Sequence, residues 1–403
     1  MNRREFLKIT AVLVGAVTMN TCSELENLPE EELPVNIADE NETIIVVGAG
    51  IAGLGAAQIL KKWSYKVILL EARSRVGGRI WTSRKWDDAP LDMGASWIHG
   101  VSGNPIAELA KEHQIKTVET DYENHWIYKA DGSELTNAEY DDLEEYESTI
   151  EKYIADAIKE LDDDVSLKTI IDAALAEEGV SAKEKQIILY LLNTIIEHEY
   201  AADISELSLF AFDEGKEYGG EDVIFPEGYD QIIEILAEGL DIRLDAIVQH
   251  IEYEDTGVRI HTNKGIYEGD RAVITLPLGV LKKGNVQFSP ALPSEKQDAI
   301  QSLGMGLLDK LYLHFPSIFW EKEAALLGHL GENKGEWAEW LNIAHYTNEP
   351  ILLGFNAATF AREVEGWSDQ EIVDSAMATL RNIFGTNIPD PLDWQITRWA
   401  DDP

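Results

Sequence analysis

Three glycines at positions 48, 50 and 53 follow directly on a short apolar run, Thr43 to Val47. That spacing suits a dinucleotide. Gly48 permits a tight turn, Gly50 lets the backbone approach a pyrophosphate, and Gly53 lets the next helix press close to the strand. The N-terminus of that helix presents unpaired N–H groups and the positive end of its dipole to the phosphates. Glu71 stands 23 residues after Gly48, at the end of a second apolar run. A carboxylate there accepts ribose hydroxyls and repels a 2′-phosphate, which disfavours NADP. The stretch from Ala72 to Arg79 then carries Arg73, Arg75, Gly77, Gly78 and Arg79. Paired glycines admit an extended dinucleotide, and Arg73 and Arg79 offer cationic forks to its phosphates. The competing readings are a ligand-free turn and arginines spent on surface ion pairs.

These residues need a βαβ unit to position them. Thr43 to Val47 reads as a buried strand, Ile51 to Trp63 as a helix with Leu54, Ala57 and Leu60 on one face, and Lys66 to Leu70 as a parallel second strand. Residues 138–200 read as mostly helical, with Ile150, Ile154, Ala157 and Leu161 at helical spacing and an acidic outer face. Tyr229 to Leu240 reads as a helix. Ala246 to Tyr253, Gly257 to Thr262 and Gly265 to Tyr267 read as a strand meander turning at its glycines, and Arg271 to Leu276 as a strand stopped by Pro277. Lys310 to Phe315 and Ile351 to Asn356 are strand-like, and Gln370 to Phe384 is helical.

Composition narrows the chemistry. The chain has 403 residues, and 33 Lys plus Arg against 74 Asp plus Glu leave a net charge of −41. Nucleic-acid binding is not expected at that charge, because phosphate contacts need clustered cations. The acidity serves solubility, or it makes a field that draws cationic substrates. A single cysteine, Cys22, excludes an internal disulfide and a multi-thiolate zinc cage. No GxxxxGK[ST], HExxH or GxSxG string occurs, and the nine histidines are scattered, so no metal site is indicated.

The first 22 residues read as an address. Arg3 and Arg4 precede an apolar run from Ile9 to Met19, too short to span a bilayer, and the pattern resembles a twin-arginine export signal. A periplasmic or cell-envelope location is the expectation. Cys22 sits where a lipid-anchored cysteine could sit, behind a poor Met19-Asn20-Thr21 context, and residues 23–42 read as an acidic tether.

Several strings together resemble the flavin-containing amine oxidases, the family of monoamine oxidases, polyamine oxidases and related histone demethylases. They are VVGAGIAGLGAA with VILLEARSRVGGRIWT, LDMGASWIHG with GNP, FPEGYDQII, AVITLPLGVLK, LGMGLLDKLYLHF and ITRWADDP. Within the family, ASWIHG with GNP looks most like the polyamine oxidases acting on spermine or spermidine. The resemblance implies an α/β fold: a Rossmann-like FAD-binding domain with a parallel sheet over 43–125 and 222–283, and an α+β substrate domain over 126–221 and 284–395. It implies FAD as cofactor, a small cationic amine as substrate and O2 as acceptor, giving an imine, then an aldehyde, and hydrogen peroxide.

Carried over residue by residue, Gly48, Gly50, Gly53 and Glu71 would hold the ADP half of FAD. Arg73, Gly78 and Arg79 would line its pyrophosphate and ribityl chain. Gly94, Ala95, Ser96 and Trp97 would pass the isoalloxazine ring, and the Val248 backbone would meet the adenine. Lys310 matches the lysine that holds a water against flavin N5, against a reading as an ordinary strand lysine. His99 matches the histidine beside the substrate amines, against a reading as a packed core histidine. Glu197 and Glu199 are vaguer candidates for distal ammonium groups. A monoamine or L-amino-acid oxidase on the same scaffold is the rival enzyme, with Arg362 the candidate for a substrate carboxylate. The family pattern continues past WADDP with further flavin-contacting segments, so the chain is expected to be C-terminally truncated. A non-catalytic fragment or binding module is the rival of another class.

Overall fold

The computed structural model describes residues 42–87, 89–213, 215 and 217–402. Residues 1–41, where an export signal, an acidic tether and a lipid-anchored Cys22 are expected, lie outside the described residues. Two compact units emerge among the described residues, each assembled from separated stretches of chain: 42–119 with Tyr218–Met305, and Thr120–Glu217 with 306–402.

In the first unit a four-stranded parallel sheet runs in the order Arg271–Ile274, Thr43–Val47, Lys66–Leu70, Asp241–Arg243. Its central strand is apolar because both faces are covered: Ile44, Ile45, Val46 and Val47 are all buried. On one face Val46 and Leu69 join Leu54 and Ala57 of helix Ile51–Lys62 and Ile232 and Ile233 of helix Asp230–Ala237. On the other, Ile45 and Val47 meet Ile251, Val258 and Ile260 of a second sheet. That second sheet is the expected meander, Gly265–Gly269, Gly257–Thr262 and Val248–Glu254, extended by Gln287–Ser289. Gln287–Ser289 adds in parallel to Val248–Glu254, so residues 284–305 belong with the glycine-turn unit.

The second unit is built on a six-stranded sheet ordered Asp393–Ile396, Leu308–His314, Ile351–Ala357, Glu339–Asn342, Leu326–Leu330, His125–Lys129. All neighbours are antiparallel except the last pair. Helix Asn137–Glu160 opens with a reciprocal capping box between Thr136 and Glu139. With Leu167–Glu178 and Ala182–Leu191 it closes one apolar core, and helix Asp369–Phe384 closes another against the sheet.

One buried group makes this unit pH-sensitive. Asp309 Oδ1 accepts from Thr397 Oγ1 at 2.8 Å and from the Trp399 amide at 3.0 Å, tying the Asp393–Ile396 strand and its sequel to Leu308–His314. Burial pushes the Asp309 carboxyl up to about 7 from 3.8; the hydrogen bonds from Thr397 and Trp399 oppose the rise, and the Glu365 carboxylate adds to it. The folded chain therefore holds a proton there that the unfolded chain releases near 3.8. The associated stability is full below about pH 4 and is lost as pH rises through about 7, amounting to at most about 4 kcal/mol. Asp309→Asn keeps an acceptor for both donors and carries no charge. Thermal unfolding midpoints of the variant should decline less between pH 4 and 8 than those of the parent. Parallel profiles would refute the assignment.

Candidate cofactor and substrate site

The glycine turn is knitted to its neighbours by backbone bonds. Gly48 donates to the Leu70 carbonyl at 2.8 Å, and Gly77 donates to the Ala49 carbonyl at 2.8 Å. Gly48 has φ +102°, the left-handed side that a Cβ disfavours. Thr275, just past the neighbouring strand Arg271–Ile274, pins this turn: its Oγ1 lies 2.9 Å from the Val47 carbonyl and 3.1 Å from the Gly48 carbonyl. A Cβ on Gly53 would stand 1.9 Å from the Gly48 carbonyl oxygen. The helix thus packs as closely as the spacing predicts.

Gly50 is different. An added Cβ there would meet nothing within 4 Å, although Gly50 and Gly77 form a parallel bridge and Gly78 lies close by. Open space beside the first residue before a helix N-terminus is the concavity a diphosphate needs.

Glu71 is buried, with Oε2 accepting from the Ala49 amide at 2.8 Å and Oε1 from the Arg73 amide at 2.9 Å. An ionised carboxylate accepts about four hydrogen bonds, so one position on each oxygen is left for a ribose hydroxyl. Gly48, Gly50, Gly53, Glu71 and Gly78 meet at one turn, with Arg73 and Arg79 near it in sequence, and the backbone donors there fit a dinucleotide. Arg79 is exposed and Arg73 half-buried. Arg75 is the loop's own brace, donating to the Gly78 carbonyl at 3.0 Å and lying 4.9 Å over the Trp81 ring.

Gly94 to Trp97 follow in the same unit, with Ala95 donating to the Arg79 carbonyl at 3.1 Å. Asp92 beneath them accepts from Thr82 Oγ1 at 2.5 Å and from the Tyr229 amide at 3.0 Å, which docks the FPEGYD turn. Val248 is buried at the start of its strand.

His99 is not a packed core histidine. Its side chain is 59% exposed, Nδ1 lies 2.9 Å from Asp222 Oδ2, and its ring stacks on Trp97 at 6.4 Å. The other Asp222 oxygen accepts from the Gly100 amide at 2.7 Å. Asp222 carries no sequence signal, because it lies 123 residues away.

Lys310 belongs to the other unit. It is 4% exposed on strand Leu308–His314, and its amide donates to Thr397 Oγ1 at 2.8 Å. Glu197 is buried and spent on the protein: it accepts from Lys334 Nζ at 2.5 Å, the Ile204 amide at 3.0 Å and Asn193 Nδ2 at 3.2 Å. Glu199 is exposed. Arg362 is likewise committed, to Asp203 at 3.0 Å and Glu206 at 2.8 Å. The fold also joins three scattered residues that sequence spacing did not single out: among the described residues, His250, Glu252 and His261 form one group with metal-ligand spacing.

No helix among the described residues is long and apolar enough to cross a membrane.

Known proteins match this chain along most of its length. It is 34% identical over 391 residues to lysine-specific histone demethylase 1 homolog 1 of Oryza sativa subsp. japonica, covering 89% of this chain and 45% of that protein. It is 34% identical over 379 residues to polyamine oxidase 4 of the same organism, covering 90% of this chain and 76% of that protein. Polyamine oxidase 2 of Arabidopsis thaliana is 31% identical over 378 residues. The chain spans about half the length of the histone demethylases it matches. Among solved structures, a putrescine oxidase double mutant with redesigned cofactor binding shares the fold, with TM-score 0.71 at 20% identity over 90% of this chain and 85% of that one. The model of the flavin-containing amine oxidoreductases matches residues 51–403, from the first turn of the helix beyond Gly50 onward, and this chain belongs to that family.

Proposed function

We propose that this chain is an FAD-dependent oxidase of polyamines. A secondary amine loses a hydride equivalent from its α-carbon and a proton from nitrogen to give an imine. Water adds to the imine, and the products are an aldehyde and a shorter amine. FAD, when bound, would supply the two-electron acceptor for this oxidation, with O2 as the final acceptor and hydrogen peroxide as its product.

The chain's own residues supply placement and charge. Gly50 and the helix N-terminus receive the diphosphate, and Glu71 the ribose. Arg73, Gly78 and Arg79 take the pyrophosphate and ribityl chain, the 94–97 backbone flanks the ring, and the Val248 backbone meets the adenine. Lys310 handles protons and charge in the oxygen step.

The observation that carries the polyamine reading is the exposed His99 ring held by Asp222. An imidazole backed by a carboxylate is a fixed acceptor in a negative field, suited to a substrate ammonium remote from the reacting carbon. An amino-acid oxidase needs a cation for the substrate carboxylate, and Arg362 is already engaged by Asp203 and Glu206.

The test is anaerobic titration of the flavin-loaded protein with spermine, benzylamine and L-leucine. Spermine should bleach the flavin and the other two should not. His99→Ala should raise the spermine KM about tenfold, one ordinary charge-assisted contact, with kcat little changed. Bleaching by leucine, or by no amine, would overturn the reading.

A further inference from the structure

On the meander of the glycine-turn unit, we infer a divalent transition-metal site of the Zn2+ class, formed by His250, Glu252 and His261. His250 and Glu252 lie two residues apart on strand Val248–Glu254 and so share a face. His261 lies directly opposite His250 on Gly257–Thr262. A register shift between Val248 and His250 puts Gln249 in a bulge, a device that re-aims side chains at sites. The opposite face of both strands packs inward through Ile251, Val258 and Ile260.

The donor atoms already have the spacing of a coordination shell. His261 Nε2 lies 3.2 Å from Glu252 Oε1, and His250 Nδ1 lies 3.7 Å from the same oxygen. One donor atom from each of the three residues falls within 4.8 Å of the others. Tetrahedral zinc with ligand bonds of about 2.0–2.1 Å separates neighbouring donors by about 3.3 Å. His261 Nε2 is buried and makes no hydrogen bond of good geometry; Glu252 Oε1 at 3.2 Å is the opposite charge it faces.

The supporting shell matches as well. His250 Nε2 lies 2.8 Å from Ser289 Oγ on the adjoining strand. With the Nε2 proton given to that hydroxyl, Nδ1 keeps a lone pair for an ion, as in metal-binding imidazoles. Arg259 Nη1 holds the other Glu252 oxygen at 3.4 Å and is itself held by Glu268 at 3.2 Å, so Oε1 is the oxygen turned to both histidines. All three ligands are half-buried, and their solvent side accommodates water as a fourth ligand. Imidazole and carboxylate donors together suit Zn2+, Ni2+ or Cu2+ over Mg2+ or Ca2+. An ion there clips two strands together and stiffens the meander.

Calorimetric titration of the full flavin-loaded, chelator-treated chain with ZnCl2 tests this, with MgCl2 as the control ion. One Zn2+ per chain should bind at micromolar concentration and raise the unfolding midpoint, and Mg2+ should not. His261→Ala should abolish that equivalent, and Ser289→Ala should weaken it about tenfold. Circular dichroism and flavin content should match the parent for both variants. If His261→Ala does not fold, Glu252→Gln is read instead, with the same expected loss. No Zn2+ binding by the parent, or binding unchanged in every folded variant, would overturn the site and leave a histidine–carboxylate cluster without an ion.

Discussion

Gly50→Ala should give a folded protein that holds flavin about 10²-fold more weakly, whereas Gly53→Ala should destabilise the glycine-turn unit itself. The two positions lie in one motif, yet a methyl group meets opposite surroundings. At Gly53 it stands 1.9 Å from the Gly48 carbonyl oxygen, backbone against backbone. Relief requires the helix Ile51–Lys62 to move off strand Thr43–Val47, on which Val46, Leu54 and Ala57 pack. Overpacking a rigid core costs about 1–3 kcal/mol or more, which outweighs the roughly 1 kcal/mol that Ala gains over Gly in a helix. At Gly50 the methyl meets nothing within 4 Å, and φ is −74°, which any L residue adopts. The fold therefore tolerates it. Only a ligand backbone brought into that space would not, and affinity should fall by about 10²-fold or more, some 3 kcal/mol. Gly55, whose added Cβ also meets nothing, is the control: Gly55→Ala should leave both stability and flavin content intact. Flavin absorbance after gel filtration, read beside circular dichroism, separates the three. Stoichiometric flavin on Gly50→Ala would refute the proposed path of the diphosphate.

The contrast also shows what a sequence can carry. Glycine spacing encodes turn, approach and packing locally, and Thr43–Val47 and Lys66–Leu70 announce themselves because two covered faces demand continuous apolar runs. The same logic fails for Leu326–Leu330 and Glu339–Asn342. Both are buried throughout, but one contains Gly328 and His329, and the other carries Glu339, within 3.3 Å of His198. Neither alternates, so neither reads as a strand. The π-helix Leu192–Glu197 has helical spacing and no further mark; its irregularity accompanies the buried Asn193–Glu197–Lys334 bonds, whose partner Lys334 is 137 residues away. Legibility of the site divides in the same way. Gly48, Gly50, Gly53 and Glu71 sit within one βαβ unit and were readable as a set. Asp222 behind His99, Thr275 behind Gly48, and His261 opposite His250 are joined only by folding. Their residue types are ordinary, and cross-strand register is what gives them meaning.

Lys310→Met should separate the two halves of the proposed reaction. Lys310 is nearly enclosed on a strand whose neighbours Asp309, Leu311, Tyr312 and Leu313 are buried too. Strand alternation turns it away from Asp309 and its bonds to Thr397 and Trp399, so the link between the strands survives the change. Methionine matches the length of the lysine stem without the ammonium, so the variant should fold and bind flavin as the parent does. Removing an electron pair from the amine needs a positioned, neutral reacting nitrogen; in the proposed reading His99 and Asp222 hold a remote ammonium, and Lys310 has no part in that half. Reducing O2 to peroxide is different, because negative charge develops on oxygen and two protons must arrive. A fixed cation in a water-poor site stabilises that charge far better than solvent does. In rapid mixing, amine-driven bleaching should stay within a few-fold of the parent, while reoxidation by O2 slows about 10²-fold, the scale of a lost acid–base group. Reoxidation at the parent rate would make Lys310 an ordinary strand lysine with a buried stem. Slowing of both halves together would move its role to substrate placement.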